Sequence, residues 1–151
     1  MKEKILISLS VIAILIGITY ISMLPPRNAD TLDFETVLKA EYSGIAERKT
    51  FVINTKEDWE IFSKDLKNGA QNIKVENIVF DEDKYTFIAV TMGENQTTGY
   101  DIEIKEVYEF EDYIGLYVSR EIPCAGCPLE SKITRPFHVI KILKTNKQIR
   151  R

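Results

Sequence analysis

Hydrophobic and polar residues along this chain fall into three regimes. Ile5 to Leu24 reads ILISLSVIAILIGITYISML, twenty residues without a charge. As a helix this run is about 30 Å long, the thickness of a bilayer's hydrocarbon core, and no face of it is polar. Next comes a stretch with helical spacing, in which Trp59, Ile61, Phe62 and Leu66 form an apolar stripe. Thr55 is placed to cap it, Glu57 and Asp58 suit the positive end of its dipole, and Asn68-Gly69 ends it. The remainder alternates or runs apolar over short lengths, which is the pattern of strands.

The predicted strands are Thr36–Tyr42 and Lys49–Ile53, read as a hairpin broken at Gly44, then Tyr85–Thr91, Gly99–Val107, Tyr113–Ile122 and Phe137–Leu143. Tyr85–Thr91 is almost continuously apolar and suits a central strand. In Gly99–Val107, Tyr100, Ile102 and Ile104 alternate with Asp101, Glu103 and Lys105; in Tyr113–Ile122, Ile114, Leu116 and Val118 oppose Tyr113, Gly115, Tyr117 and Ser119. The sum is a hairpin, one amphipathic helix and a four-stranded antiparallel meander. The fold class is α+β, with a mainly antiparallel β domain following an N-terminal transmembrane helix.

Lys2 and Lys4 precede the apolar run and favour a cytoplasmic N-terminus. The run is longer than the roughly 7–15 residues of a signal-peptide core, and no A-x-A-like site follows it. A retained single-pass anchor is therefore expected in preference to a cleaved signal. With no cysteine at its end, lipoprotein-type modification is not expected. Pro25 and Pro26 stop the helix. The expected organisation is an anchor over residues 1–26, with residues 5–24 in the cell membrane, a linker over 27–33, and an extracytoplasmic α+β domain over 34–145.

Setting aside Lys2, Glu3, Lys4 and Arg27 leaves 17 basic and 22 acidic side chains, a net charge of −5. A domain of that sign has no electrostatic pull towards nucleic acid. The chain has one histidine, His138, in a predicted strand, and no Gly-x-Ser-x-Gly elbow. Glu109, Glu111 and Asp112 gather at a predicted turn, where charge is ordinarily solvated. No phosphate loop or dinucleotide fingerprint appears, so neither cofactor nor enzymatic activity is expected.

Cys124-Ala125-Gly126-Cys127 is the sharpest local motif. In an oxidising compartment the two cysteines can join in a disulfide that braces the loop. A thioredoxin-type redox site would need a helix after the motif, whereas Pro123 and Pro128 flank it. A zinc site would need four ligands, and only Cys124, Cys127 and His138 are on offer, so no metal is expected. Loop bracing is the favoured reading, with inert thiols or thiol–disulfide exchange as alternatives. The second motif, Gly93-Glu94-Asn95-Gln96-Thr97-Thr98-Gly99-Tyr100, joins two strands. It reads either as a well-formed hairpin loop or as a recognition loop carried by a stiff sheet.

FDEDKYTFIAVTMGENQTTGYDIEIKEV followed by YIGLYVSREIPCAGCPLESKITRPFHVIKI resembles the C-terminal domain of the PrcB protease-complex subunit family over about residues 78–143. The motif positions are Gly93, Thr98, Gly99, Tyr100, Pro123, Ile133, Thr134, Pro136 and Phe137; Tyr42-Ser43-Gly44 and Trp59 upstream also look typical. The resemblance implies a non-catalytic partner of a surface or envelope protease, or of another envelope protein. The cysteine pair departs from the family's simplest pattern. A weaker likeness is to chagasin-type cysteine-protease inhibitors, which carry Asn-Pro-Thr-Thr-Gly and Arg-Pro-aromatic loops. Asn95, Thr97, Thr98 and Gly99, with Arg135, Pro136 and Phe137, echo both, but Gln96 replaces the proline. Both likenesses imply a loop face that contacts a protease, and the candidate contacts are Asn95, Thr97, Thr98, Gly99, Tyr100, Arg135, Pro136 and Phe137, the loops through which a chagasin-like inhibitor would act.

Overall fold

The computed structural model describes residues 29–68 and 73–151. The expected anchor lies outside the described residues, and among them no helix is long and apolar enough to cross a membrane. The elements are β1 (Asp30–Thr31), β2 (Glu35–Ala40), β3 (Thr50–Ile53), α1 (Lys56–Lys67), β4 (Tyr85–Thr91), β5 (Asp101–Glu109), β6 (Tyr113–Glu121), β7 (Phe137–Leu143) and β8 (Gln148–Arg150). They build two four-stranded sheets, one in the order β1-β5-β6-β8 and the other β2-β7-β4-β3. All pairings are antiparallel except β6 with β8. A mainly antiparallel β domain carrying one helix is therefore what these residues form.

The pairing differs from the predicted hairpin and meander. β2 and β3 do not pair; they lie at opposite edges of one sheet, with β7 and β4 between them. β4 pairs β7 over seven residues, Tyr85↔Leu143 to Thr91↔Phe137, and leaves β5 and β6 to form a hairpin in the other sheet. The reason is two-sided burial. The side chains of β4 alternate between two cores, so this strand needs an apolar layer on each face. Phe87 and Ala89, with Phe137 and Val139 of β7, join Trp59, Phe62 and Leu66 of α1 in one cluster. Ile88, Val90 and Met92, with Ile140 and Ile142, meet Ile102, Ile104, Val107, Ile114 and Leu116 of β5 and β6 in another. The domain is thus three layers: helix, central sheet, outer sheet. Sheet pairing also extends past the expected 34–145 span, through β1 in the predicted linker and β8 near the C-terminus. Both strands are too short and polar to leave a hydropathic signature.

Helix α1 starts as the sequence predicts, with the Thr55 side chain accepting from the Asp58 amide at 3.1 Å. Trp59 meets Phe87 edge to face at 5.2 Å, and Phe62 packs on Phe51 at 5.1 Å. Ile61, counted in the apolar stripe, is instead 58% exposed. The helix's last turn sits close against Gly44, whose amide donates to the Leu66 carbonyl at 2.8 Å. A Cβ at residue 44 would overlap the carbonyl oxygens of Asp65 and Asn68, so only glycine fits there.

His138 is buried and faces the outer sheet. Its Nδ1 accepts from the Ile104 amide at 2.9 Å, which fixes Nε2 as the protonated nitrogen, 2.9 Å from the Thr36 hydroxyl. Above it Lys39 of β2 bridges Asp101 and Glu103 of β5 at 2.7 and 2.8 Å, and Lys105 also reaches Glu103 at 2.8 Å. For Lys39, burial works against the charge, but hydrogen bonds to Asp101 and Glu103 outweigh it and its pKa is raised. Partly exposed ion pairs of this kind contribute at most about 1 kcal/mol each, so their part is to set alignment between the sheets.

Burial, reinforced by the Lys39 charge, lowers the His138 pKa from 6.5 to about 4. Protonation would also place a proton on the nitrogen that accepts from Ile104. Between pH 6.5 and about 4 the unfolded chain takes up a proton that the folded chain refuses. The histidine's contribution is complete above pH 6.5 and declines as pH falls towards 4, by up to about 1.4 kcal/mol per pH unit. Urea unfolding of the wild type should lose more stability between pH 7 and pH 5 than the His138→Gln variant does. An equal loss in both proteins would contradict this assignment.

Candidate functional site

At one end of the central sheet the segments after β4 and before β7 are bonded into a single lobe. Met92 donates to the Pro136 carbonyl at 2.9 Å, and Asn95 and Thr134 exchange both backbone hydrogen bonds at 2.9 Å. The Thr134 hydroxyl, itself buried, donates to the Thr97 carbonyl at 2.9 Å. Thr98 donates its amide to the Glu130 carbonyl, and its hydroxyl accepts from the Glu130 amide, both at 3.1 Å. Gly93 takes φ 85° where the chain passes Ala46 and Arg48. Gly99 takes φ 91° against Pro123 and Leu129. Both positions favour glycine for that reason.

Arg135 forms an ion pair with Glu94 at 2.6 Å, its amide donates to the Glu41 carbonyl, and its own carbonyl accepts from the buried Ser43 hydroxyl. The loop after β2 is thereby the third strap of the lobe. Motif reading from the sequence placed Glu94 and Ser43 within motifs without giving either a contact, and did not single out Glu130. Their residue types are ordinary for loops, and only the folded geometry shows that each closes a contact between segments distant in the chain.

The predicted contact residues divide by burial. Asn95, Thr97 and Thr98 are half-buried and mostly spent on bonds inside the lobe, whereas Gly99 and Gln96 are exposed. Tyr100 packs against the core between the sheets. Pro136 and Phe137 are buried, Phe137 completely, in the core beneath the helix. As surface contacts these two are therefore corrected: an aromatic at the first position of a strand buried on both faces is drawn inward. The Arg-Pro-aromatic step offers a partner only Arg135, already held by Glu94.

Beside the exposed Glu94, Gln96, Glu130, Ser131 and Lys132, the lobe exposes three large apolar side chains. Ile122 is 74% exposed, Ile133 49% and Leu129 39%, and the first and last of these flank the Cys124–Cys127 segment along the chain, Ile122 before it and Leu129 after it. The two cysteines are joined in a disulfide with Cα atoms 5.5 Å apart. Cys127 donates its amide to the Cys124 carbonyl at 3.2 Å, and Gly126 has φ 86°, the arrangement of a type II turn. The pair closes a turn and holds no free thiol.

Among the described residues no group of three His, Cys, Asp or Glu is placed to hold a metal ion. Glu103 has its pKa lowered to about 2 by hydrogen bonds from Lys105 and Lys39, so near neutrality it has no proton to give. Neither His138 nor this carboxylate is available as an acid at neutral pH.

The hydroxyl of Thr134 adds a buried side-chain bond to the backbone bonds that tie the first loop to the second. Thr134→Val should cost roughly 1–2 kcal/mol, because the Thr97 carbonyl then loses its partner. Amide exchange should accelerate at Asn95 and Thr98 more than in β5 or β6. Unchanged exchange at both amides would show that the loops are held together by something else.

Residues 86–142 match the family model described as PrcB C-terminal. No curated protein and no solved structure matches the chain. The matched stretch runs from the second residue of β4 almost to the end of β7, and so contains both sheets' central strands and both loops of the lobe. The resemblance seen in the sequence motifs holds over that stretch, which is similar to the PrcB C-terminal family.

Proposed function

We propose that this chain is a non-catalytic binding or assembly module of a protease complex. In this reading it is carried on the outer face of the cell membrane by its N-terminal apolar run and meets its partner through the lobe of residues 93–100 and 122–135. The family match supports the connection to a protease complex. The observation that carries the reading is the Asn95–Thr134 bridge within that matched stretch. It turns two loops into one stiff surface, and surfaces ordered before binding lose less entropy on association. Ile122, Leu129 and Ile133 supply exposed apolar area on that surface, of the kind that forms the centre of an interface. The disulfide and the Gly126 turn hold the segment between Ile122 and Leu129 in one shape.

Affinity capture of the full-length tagged chain from native membranes, after crosslinking, tests this. A polypeptide with protease activity should be recovered with the wild type. Recovery should fall at least about tenfold with Leu129→Asp plus Ile133→Asp, since losing two exposed anchors at roughly 1 kcal/mol or more each has that effect. Both side chains are exposed, so the melting temperature should stay unchanged. Absence of any protease after crosslinking, or equal recovery with the variant, would contradict the reading.

A further inference from the structure

The two sheets have four edges, and three of them are guarded. β1 and β8 are two and three residues long and largely polar, and the stretches of β5 and β6 that they leave uncovered carry Asp101, Glu103, Lys105 and Glu106, and Arg120 and Glu121. β2 is interrupted by an irregularity between Thr36 and Leu38 and carries Glu35 and Lys39, both in ion pairs. These are the ordinary devices that keep a sheet edge from pairing with another chain. β3, though only four residues long, has neither charge nor irregularity. Its sequence Thr50-Phe51-Val52-Ile53 contains no charge and no proline, and it pairs β4 in unbroken register.

The ladder's phase says which backbone groups β3 leaves open. Thr91 donates to the Lys49 carbonyl at 2.9 Å, so Lys49, Phe51 and Ile53 bond inward to β4. The N–H and C=O of Thr50 and Val52 then point outward. Among the described residues no turn, loop or side-chain hydrogen bond reaches them. Beside this edge runs a groove of about 310 Å³ between β3 and α1. Its walls include Phe51 and Val52 on the strand and Ile61 and Phe62 on the helix. Val52 and Ile61 are 41% and 58% exposed, so neither is consumed by the core. Asp58 and Asp65 look onto the same groove from the helix, and Lys49, whose ammonium lies over the Phe51 ring, from the start of the strand.

We propose that β3 and α1 form a docking groove for an extended segment of a partner protein. The segment adds to the central sheet as a further strand on β3, bonding the backbone of Thr50 and Val52. It lays an apolar side chain on Ile61 and Phe62 and a lysine or arginine against Asp58 or Asp65. The open backbone groups select an extended peptide, and the excess of two carboxylates over the one Lys49 ammonium favours a cationic one. Strand addition with a side-chain pocket for specificity is a general mode of peptide capture. The groove shares no residue with the lobe, so the two surfaces stand or fall separately.

The test uses the full-length chain in lipid nanodiscs and the capped hexapeptide Thr-Lys-Thr-Val-Thr-Lys, which presents Lys, Val and Lys on one face. The counterpart probe has Glu in place of each Lys. At millimolar concentration the lysine peptide should slow amide exchange at Thr50 and Val52 at least about tenfold, and the glutamate peptide should not. Val52→Pro deletes one outward donor while leaving the β3–β4 bonds in place, and Ile61→Lys removes the exposed helix wall. Each should abolish the protection, and the helix variant should keep the wild-type melting temperature. Leu129→Asp should leave it intact. Equal protection by the two peptides, protection surviving Ile61→Lys, or no protection would overturn the proposal. So would protection present without peptide: lost on dilution it would mean a second copy covers the edge, and kept on dilution it would mean the chain's own remainder does.

Discussion

Everything in this domain depends on the central sheet being buried on both faces. β4 and β7 send alternate side chains into two separate clusters, one beneath α1 and one against β5 and β6. A strand in that position cannot carry a polar face without leaving a polar group in an apolar layer, at a cost of roughly 1–3 kcal/mol for each unpaired one. The exceptions on these strands obey the rule. Thr86 and Thr91 are buried with their hydroxyls bonded to Asn54 and to the Glu47 carbonyl, and His138 is buried with both ring nitrogens bonded. Each fully buried aliphatic or aromatic side chain contributes roughly 1.5–3 kcal/mol, more than any surface ion pair present. The apolar layers therefore set the architecture, and the charges around Lys39 refine it.

That constraint also locates the lobe. β4 and β7 are paired over their whole length, so the segments leaving the end of β4 and entering the start of β7 emerge side by side. Met92–Pro136, Asn95–Thr134 and Thr97–Thr134 then continue the ladder into the loops. The lobe is in effect an irregular extension of the sheet. Phe137 belongs to this logic as the inward peg at the sheet's end, fully buried where Arg135, two residues earlier, is half-buried.

Element types were legible in the sequence to the extent that a face was one-sided. α1 shows in the spacing of Trp59, Phe62 and Leu66, and its start shows in Thr55. β5 and β6 show in their alternation, because one face of each meets the core and the other meets solvent. Pairing was not legible. The apolar run of β4 signals burial on both sides, but nothing local says that its neighbour is β7, some fifty residues onward, in preference to β5. Hairpin logic favours the nearer strand, and the two-core arrangement overrides it. Ile61 was misread for a related reason: the stripe it extends is wider than the face that α1 buries. Of the lobe, Asn95–Gly99 and the cysteine pair were visible as motifs, whereas Glu94, Ser43 and Glu130 act only through contacts across long sequence separations.

Residue-by-residue hydrogen exchange under native conditions tests the two-sided sheet most directly. The slowest amides should be Ile88 and Val90 in β4 and their partners Ile140 and His138 in β7, exchanging together through global unfolding. The β5–β6 hairpin, covered on one face only, should open at lower free energy. If the hairpin amides proved the slowest, or if β4 and β7 exchanged at unrelated rates, the central sheet would not be the unit on which the rest is built.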